Sequence, residues 1–244
     1  MFDIVIPVGG YDTSQLESQL KHTRANVVGF RKIFIIASKD FKPPKDCTTV
    51  SEDTFPFSKE TVAYFHGSRK RNGWYLQQLL KIYAGIVIPG ILDRYLVLDA
   101  DTYFLKPTQF MIQEKCCYAT GTEHHTSYFS HMTRLDPSFR RETDASGICH
   151  HMMFEVKYIR EIIDIVHHRH MQPFWTVFLK MVAPEDYDTS GASEYELYFH
   201  YMIGHHPTKI QLRKLLWENT TTNPETTDNK QLDYVSWHHY SRLN

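Results

Sequence analysis

The sequence predicts an α/β fold, a single domain with a mixed central sheet spanning all 244 residues. Three observations carry that expectation. The run Tyr95-Leu-Val-Leu-Asp-Ala-Asp-Thr-Tyr-Phe-Leu-Lys-Pro107 opens as a short apolar strand and stops on two carboxylates, Asp99 and Asp101. The first forty residues read strand, helix, strand, a βαβ unit whose crossover should be right-handed. Neither half shows an internal repeat or a convincing linker, so one core is the economical reading.

Taken in order, residues 3–8 form the first strand and Gly9-Gly10 a backbone turn. Leu16, Leu20 and Val27 have helical spacing, so a helix is expected over 14–28, with Ser14 and Glu17 in the capping-box relation. Residues 32–37 are a second buried strand, closing at Ser38 and Asp40. Residues 41–54, with Pro43-Pro44, read as loop. Leu76, Leu79, Leu80 and Tyr83 place a helix over 73–84, and Pro89-Gly90 ends it before the Asp-x-Asp strand. Residues 123–141 are polar and His-rich, a long loop or short helical pieces. A strand is expected near 148–154, helices over 156–167, 174–182 and 193–203, and strands near 209–217 and 232–238. Residues 220–230, rich in Thr and Asn, read as a surface loop.

Composition excludes several classes. With 23% charged residues and a formal net charge of −1, no global basic field points to nucleic acid or an anionic membrane. There is no transmembrane segment and no signal-peptide pattern. Cys47, Cys116, Cys117 and Cys149 fall in no Cys-x-x-Cys pattern, which fits reduced thiols and a cytoplasmic protein. The Asn219-Thr-Thr sequon then reads as chance. Aromatic side chains, 14% of the total, suit a groove that stacks on sugar rings, though most belong to a core.

The chemistry-bearing residues follow the same order. Ligands of open α/β sheets collect at the C-terminal ends of the strands. There, backbone groups at Pro7 and Val8 and the side chains of Ser38 and Asp40 are candidates for a base and ribose. Asp99 and Asp101, two apart on an extended chain, face one point, and paired hard oxygens suit Mg²⁺ or Mn²⁺. The competing reading is a solvated acidic turn. Arg69, Arg71 and Trp74 precede and open a helix that carries Gln77 or Gln78 and Lys81, a diphosphate site by its cations and free N–H groups, or else a solvated basic loop with Trp74 as anchor. Ser193 and Glu196 form a capping box, which leaves Glu194 free as a candidate general base, unless both acids merely complement the helix dipole. In the C-terminal Tyr234-Val-Ser-Trp-His-His-Tyr240, either His238 or His239 is a legitimate further metal ligand. The remaining histidine pairs show no zinc-ligand spacing.

A hydrophobic strand ending in Asp-x-Asp resembles the metal-binding signature of GT-A glycosyltransferases. Gly73-Trp-Tyr-Leu-Gln-Gln-Leu-Leu-Lys81, the strand ending at Asp99 and Asp101, and Ser193-Glu-Tyr-Glu-Leu-Tyr198 together resemble a GT-A-like group from bacteria and large DNA viruses, the DUF6492 type. Some of its relatives assemble surface or capsid glycans. The resemblance implies a GT-A, Rossmann-like nucleotide-diphospho-sugar transferase fold, with residues 1–105 as its nucleotide-sugar-binding half and 106–244 as its acceptor-binding half. It makes His150 and His151, which follow Ser146-Gly147, candidates for the acceptor site. It also implies that the helix around Gln77 and Lys81, with Ala100 between the acids, contacts the sugar nucleotide, and that the acids hold the metal. The chain lacks the His-x-x-Gly-x-x-Lys-Pro-Trp closing motif of galactinol- and glycogenin-like retaining enzymes, which favours inversion.

The expected function is therefore metal-dependent transfer of a sugar from a UDP-linked donor to a glycan or glycoprotein acceptor, with Mn²⁺ or Mg²⁺, in the cytoplasm (the host's, if viral). One rival is a catalytically silent glycan- or nucleotide-binding module. The other is a sugar-1-phosphate nucleotidyltransferase, disfavoured because Gly9-Gly10 lacks the Arg- and Lys-bearing glycine-rich loop that such an enzyme needs.

Overall fold

The structure is a computed structural model that describes residues 1–10, 12–42, 44–226 and 231–242. Its first half runs β1 (Phe2–Pro7), α1 (Leu16–Asn26), β2 (Val27–Val28), β3 (Phe30–Ala37), β4 (Thr48–Ser51), α2 (Lys59–His66), α3 (Asn72–Val87) and β5 (Arg94–Leu98). The second half runs β6 (Thr102–Phe104), β7 (Thr108–Gln109), β8 (Met111–Ile112), β9 (Lys115–Ala119), α4 (Thr126–Leu135), β10 (His151–Glu155), α5 (Val156–His170), α6 (Phe174–Lys180) and α7 (Glu194–His205). It closes with β11 (Ile210–Arg213), β12 (Trp217–Asn219) and β13 (Tyr234–Ser236).

The central sheet has the order β10-β5-β1-β3-β4. β1 pairs in parallel with β3 and with β5, and β3 with β4, while β10 lies antiparallel to β5 with His151 opposite Leu98. The sheet is thus mixed, with a parallel-dominated core and an antiparallel edge. β1 and β10 are buried on both faces, as a helix-covered sheet requires, and largely apolar. One hydrophobic cluster runs from Phe2 to Tyr234 and joins both halves of the chain. Two smaller three-stranded sheets, β11-β9-β8 and β12-β13-β6, extend from it.

Several elements depart from expectation for local reasons. The capping box at Ser14 does not form; Gln15 occupies the N-cap of α1 without a side-chain bond. The chain enters that helix through a turn instead, Gln15 N–H donating to the Asp12 carbonyl. The expected loop at 41–54 contains β4, and α2 buries only Val62 and His66, too few to give its sequence a helical apolar period. A Ser58–Thr61 capping box starts α2. At α7 the Ser193 side chain accepts the Glu196 N–H as expected, but Glu196 reaches away, accepting from Ser146 Oγ at 2.7 Å and the Gly147 N–H at 3.0 Å. Pro43 and residues 227–230 of the expected polar loop lie outside the described residues. No helix among the described residues is long and apolar enough to cross a membrane.

α3 packs against the sheet closely enough to require a glycine in its last turns. A Cβ on Gly85 would stand 2.6 Å from the Tyr95 ring and 2.8 Å from Val156. The entropic cost of an interior helical glycine, about 0.5–1 kcal/mol relative to alanine, is thereby offset by contact between α3 and β5. That contact fixes the cleft-facing side of α3 relative to the Asp99 turn.

Candidate active site

Asp99, Ala100 and Asp101 do not continue β5. They form a tight turn into β6, closed by the Thr102 N–H donating to the Asp99 carbonyl at 3.1 Å. The turn lies at the C-terminal end of the parallel strands, where ligands of open sheets bind. Two further segments are tied to it. The Asp99 N–H donates to the His150 carbonyl at 3.0 Å, and the Trp237 N–H to the Asp101 carbonyl at 2.8 Å. Antiparallel pairing of β13 with β6, Ser236 opposite Thr102, sets the register that brings residues 237–240 over the acids. The result is a cleft of about 390 Å³, walled by one side of α3, the start of α7, the Asp99 turn and the C-terminal segment.

At its floor a single ammonium joins three groups. Lys81 Nζ donates to Asp99 Oδ1 at 2.5 Å, Glu194 Oε1 at 2.7 Å and Tyr195 Oη at 3.1 Å. The Tyr195 hydroxyl donates to the same Asp99 oxygen at 3.1 Å. The Lys81 side chain is only 2% exposed, and a buried cation needs such pairing to remain charged. Burial works against the Lys81 ammonium, but the Asp99 and Glu194 carboxylates overrule it and raise its pKa. Burial would also raise Asp99, but the Lys81 charge and the His150 side chain hold it well below the usual carboxylate range. For Glu194 burial wins: its pKa is raised, with Lys81 opposing and the Asp99 charge adding to the rise.

The Asp101 side is built differently. His238 Nδ1 lies 2.7 Å from Asp101 Oδ2, and His238 Nε2 lies 3.1 Å from Asn219 Oδ1. Burial lowers the His238 pKa, yet the hydrogen bond to Asp101 and that carboxylate's charge raise it overall. Asp101 Oδ1 is buried and has no hydrogen-bond partner among the described residues, and neither has His150 Nε2. His150 holds a left-handed backbone conformation, φ 60°, uncommon outside glycine and often found at functional sites. Its ring meets those of Trp217 and His238 at centroid distances of 4.9 and 5.0 Å.

These donors accommodate a divalent cation in part. Hard carboxylate oxygens and an imidazole are its natural ligands, and an orphaned Asp101 Oδ1 is an oxygen in want of one. Yet no three His, Cys, Asp or Glu side chains form a ready-made cation cage among the described residues. The reason is visible: Asp99 Oδ1 already accepts from Lys81 and Tyr195, and the two acids flank a turn instead of alternating along a strand. Such a site leaves coordination positions to ligand oxygens and water, as Mg²⁺ sites with phosphates commonly do.

Of the residues the sequence singled out, Arg71, Trp74, Gln77, Lys81, Asp99, Ala100, Asp101, His150, Glu194, His238 and His239 line this one cleft. Others do not. His151 is in the core, its ring among Phe104, Phe110 and Tyr234, and burial pushes its pKa down to about 3. It begins β10, and the left-handed backbone of His150 just before it separates the two neighbouring side chains. Arg69 turns outward and pairs with Asp188 at 3.0 Å, both about half exposed. Pro7 and Val8 are buried at the end of β1, and the Val8 N–H already donates to the Ile36 carbonyl. Ser38 and Asp40 are exposed beyond β3, outside the cleft lining. Sequence reasoning assigned no role to Asp12, Glu123, Tyr128, Ser190, Tyr195 or Asn219. Tyr195 stands beside the candidate base and was within reach; Asn219, inside a sequon, carried no signal for its place against His238.

The architecture is that of a glycosyltransferase-like fold. It superposes on the crystal structure of mouse xyloside xylosyltransferase 1 (apo form) with a TM-score of 0.51, covering 100% of this chain and 99% of that one at 10% sequence identity. Residues 32–239 match the family model described as DUF6492, a family of unknown function, and the chain belongs to that family. No curated protein matches the sequence.

Proposed function

We propose that this protein is a metal-dependent glycosyltransferase that moves a sugar from a UDP-linked donor to a glycan acceptor with inversion. The observation that carries the reading is one cleft in which Glu194, an ammonium and the Asp-Ala-Asp turn meet at the C-terminal edge of the sheet. Asp101, with His238 or His239 and the outer oxygen of Asp99, would hold Mn²⁺ or Mg²⁺. A bound cation would neutralise charge on the departing diphosphate. Glu194 takes the proton from the acceptor hydroxyl as that oxygen bonds to the anomeric carbon and the bond from that carbon to the diphosphate breaks. A carboxylate raised by burial is a stronger base than one in water, which suits that task. Lys81 holds Glu194 Oε1 and Asp99 Oδ1 in fixed relation, so the base and the cation-side acid do not drift apart. His150, backed by Trp217, faces the same cleft from the β10 side.

The test is release of UDP from a panel of UDP-sugars with and without Mn²⁺. Mn²⁺-dependent release that Glu194→Gln abolishes supports the reading. Cation-dependent UDP binding with no turnover on any donor or acceptor would instead make the protein a binding module. UDP release unchanged in Glu194→Gln would remove Glu194 as the base.

A further inference from the structure

The cleft-facing stripe of α3 runs Arg71, Trp74, Gln77 and Lys81. Ten residues at 1.5 Å per residue separate its ends by about 15 Å. Lys81 lies at the Asp99 end and is satisfied by two carboxylates. Arg71, at the outer end, is held differently. Its guanidinium stacks over the Trp74 ring, 4.2 Å from the centroid. Nε donates to the Thr189 carbonyl at 3.2 Å and one Nη2 hydrogen to Ser190 Oγ at 3.3 Å. Among the described residues Nη1 has no hydrogen-bond partner and the group has no ion pair. This holds although Asp12, Glu123 and Glu194 all line the same cleft.

We infer that this outer end is the acceptor subsite and that it binds a sugar carrying an anionic substituent. The inference rests on the glycosyltransferase reading and names its acceptor class. A guanidinium fixed on one face by an indole and on one edge by two oxygens is pre-organised: little side-chain entropy remains to be lost when Nη1 and the open edge meet a carboxylate or phosphate. The neighbouring Trp74 and Tyr128 rings, at a centroid distance of 6.5 Å and an angle of 29°, give the ring of such a sugar an apolar flank. The separation of about 15 Å along α3 places this cation away from the diphosphate end at the Asp99–Asp101 turn. The Arg71 expected from sequence to grip the diphosphate is therefore assigned to the other substrate. Glu194 meets Lys81 at 2.7 Å, so the acceptor would extend from the Arg71 end with its reacting hydroxyl toward Lys81.

The test uses the intact chain and binding alone, so it does not depend on turnover. Ligand-observed NMR compares 4-nitrophenyl β-D-glucuronide, 4-nitrophenyl β-D-glucoside and glucose 6-phosphate, each at low and high salt. The anionic sugars should bind on the order of tenfold more tightly than the neutral one, as a charge-assisted hydrogen bond predicts, and lose that margin as salt rises. Arg71→Gln should bring the glucuronide down to the level of the glucoside, with circular dichroism checking that the variant is folded. Preference for the glucuronide over glucose 6-phosphate, or the reverse, identifies the anion. Equal binding of charged and neutral sugars to the wild type, or a preference that Arg71→Gln leaves intact, overturns the inference. UDP and Mn²⁺ binding measured on the same sample shows separately whether the donor reading stands.

Discussion

Lys81 Nζ lies 2.7 Å from Glu194 Oε1, and the bond ties the middle of α3 to the first turn of α7 across 113 positions of sequence. Both side chains are almost fully buried, 2% and 4% exposed. Removing one partner from such a pair leaves an uncompensated charge, which costs about 3–5 kcal/mol. Lys81→Met strands Glu194 and Asp99 together, so urea denaturation should show a loss of that size. Adding Glu194→Gln should recover part of it. An unchanged midpoint in Lys81→Met would mean that the ammonium does not hold these helices.

Asp101 offers a second measurement that needs no substrate turnover. A ligand that binds only the native state stabilises it by about 2.7 kcal/mol at a hundred times its Kd. UDP with Mn²⁺ should raise the melting temperature of the wild type, and EDTA should abolish the cation-dependent part. Asp101→Asn should keep the unliganded melting temperature within a few degrees and show no Mn²⁺-dependent gain. A full Mn²⁺-dependent shift in Asp101→Asn would place the cation elsewhere.

His131 makes acid stability a readout of burial. Its Nε2 faces the Phe178 carbonyl at 2.8 Å while Nδ1 is buried without a partner among the described residues. Burial lowers its pKa from 6.5 to about 4. The native state thus prefers the neutral ring, and the unfolded chain binds the proton first. This contribution to stability is intact above pH 6.5 and declines as pH falls toward 4, by about 3 kcal/mol over that window. His131→Gln keeps a donor for the carbonyl and removes the titration. Its loss of stability between pH 6.5 and 4 should be smaller than that of the wild type, and an equal loss would assign the acid lability to other groups.

Gly191 controls the segment that leads into Glu194. A Cβ there would stand 2.7 Å from Tyr75 Oη, 2.7 Å from Val182 Cγ1 and 2.8 Å from Asp186 Cβ. Tyr75 Oη donates to the Asp186 carbonyl at 2.7 Å, so the crowding falls on a contact that pins this loop to α3. Gly191→Ala should cost about 1–3 kcal/mol by overpacking. Gly73→Ala is the control: nothing stands near its Cβ, and in the first turn of α3 alanine should gain about 0.5–1 kcal/mol. Equal melting temperatures for the two variants would contradict the packing of this loop.

What was legible in the sequence was what periodicity and side-chain type encode locally. The apolar run ending at Leu98, the α3 stripe and the Ser193 cap each announce themselves within a few residues. The mixed sheet and its C-terminal cleft follow from their order. What stayed hidden depends on distance. That Lys81 would meet Asp99 and Glu194 is a fact of how α3 and α7 cross the sheet edge. Which of two adjacent histidines faces the cleft turns on the left-handed backbone of His150, and nothing in a Cys-His-His-Met run announces that. Ser38 and Asp40 are a different case, exposed beyond β3 and apart from the lining of this cleft. A general rule about acids after second strands was applied where the cleft opens instead over β5 and β10.

The Asp101–His238 contact joins positions 137 apart, and it exists only once β13 has paired with β6. Docking this last strand closes a long loop, and the entropy of that closure is offset only when the pairing and the contact are made together. A molecule with its five-stranded sheet complete but its C-terminal segment undocked would have the Lys81 cluster and lack this wall of the cleft. Any ligand that bridges Asp101 and His238 would then act as a latch on that segment, drawing its docking and the capture of ligand into one equilibrium.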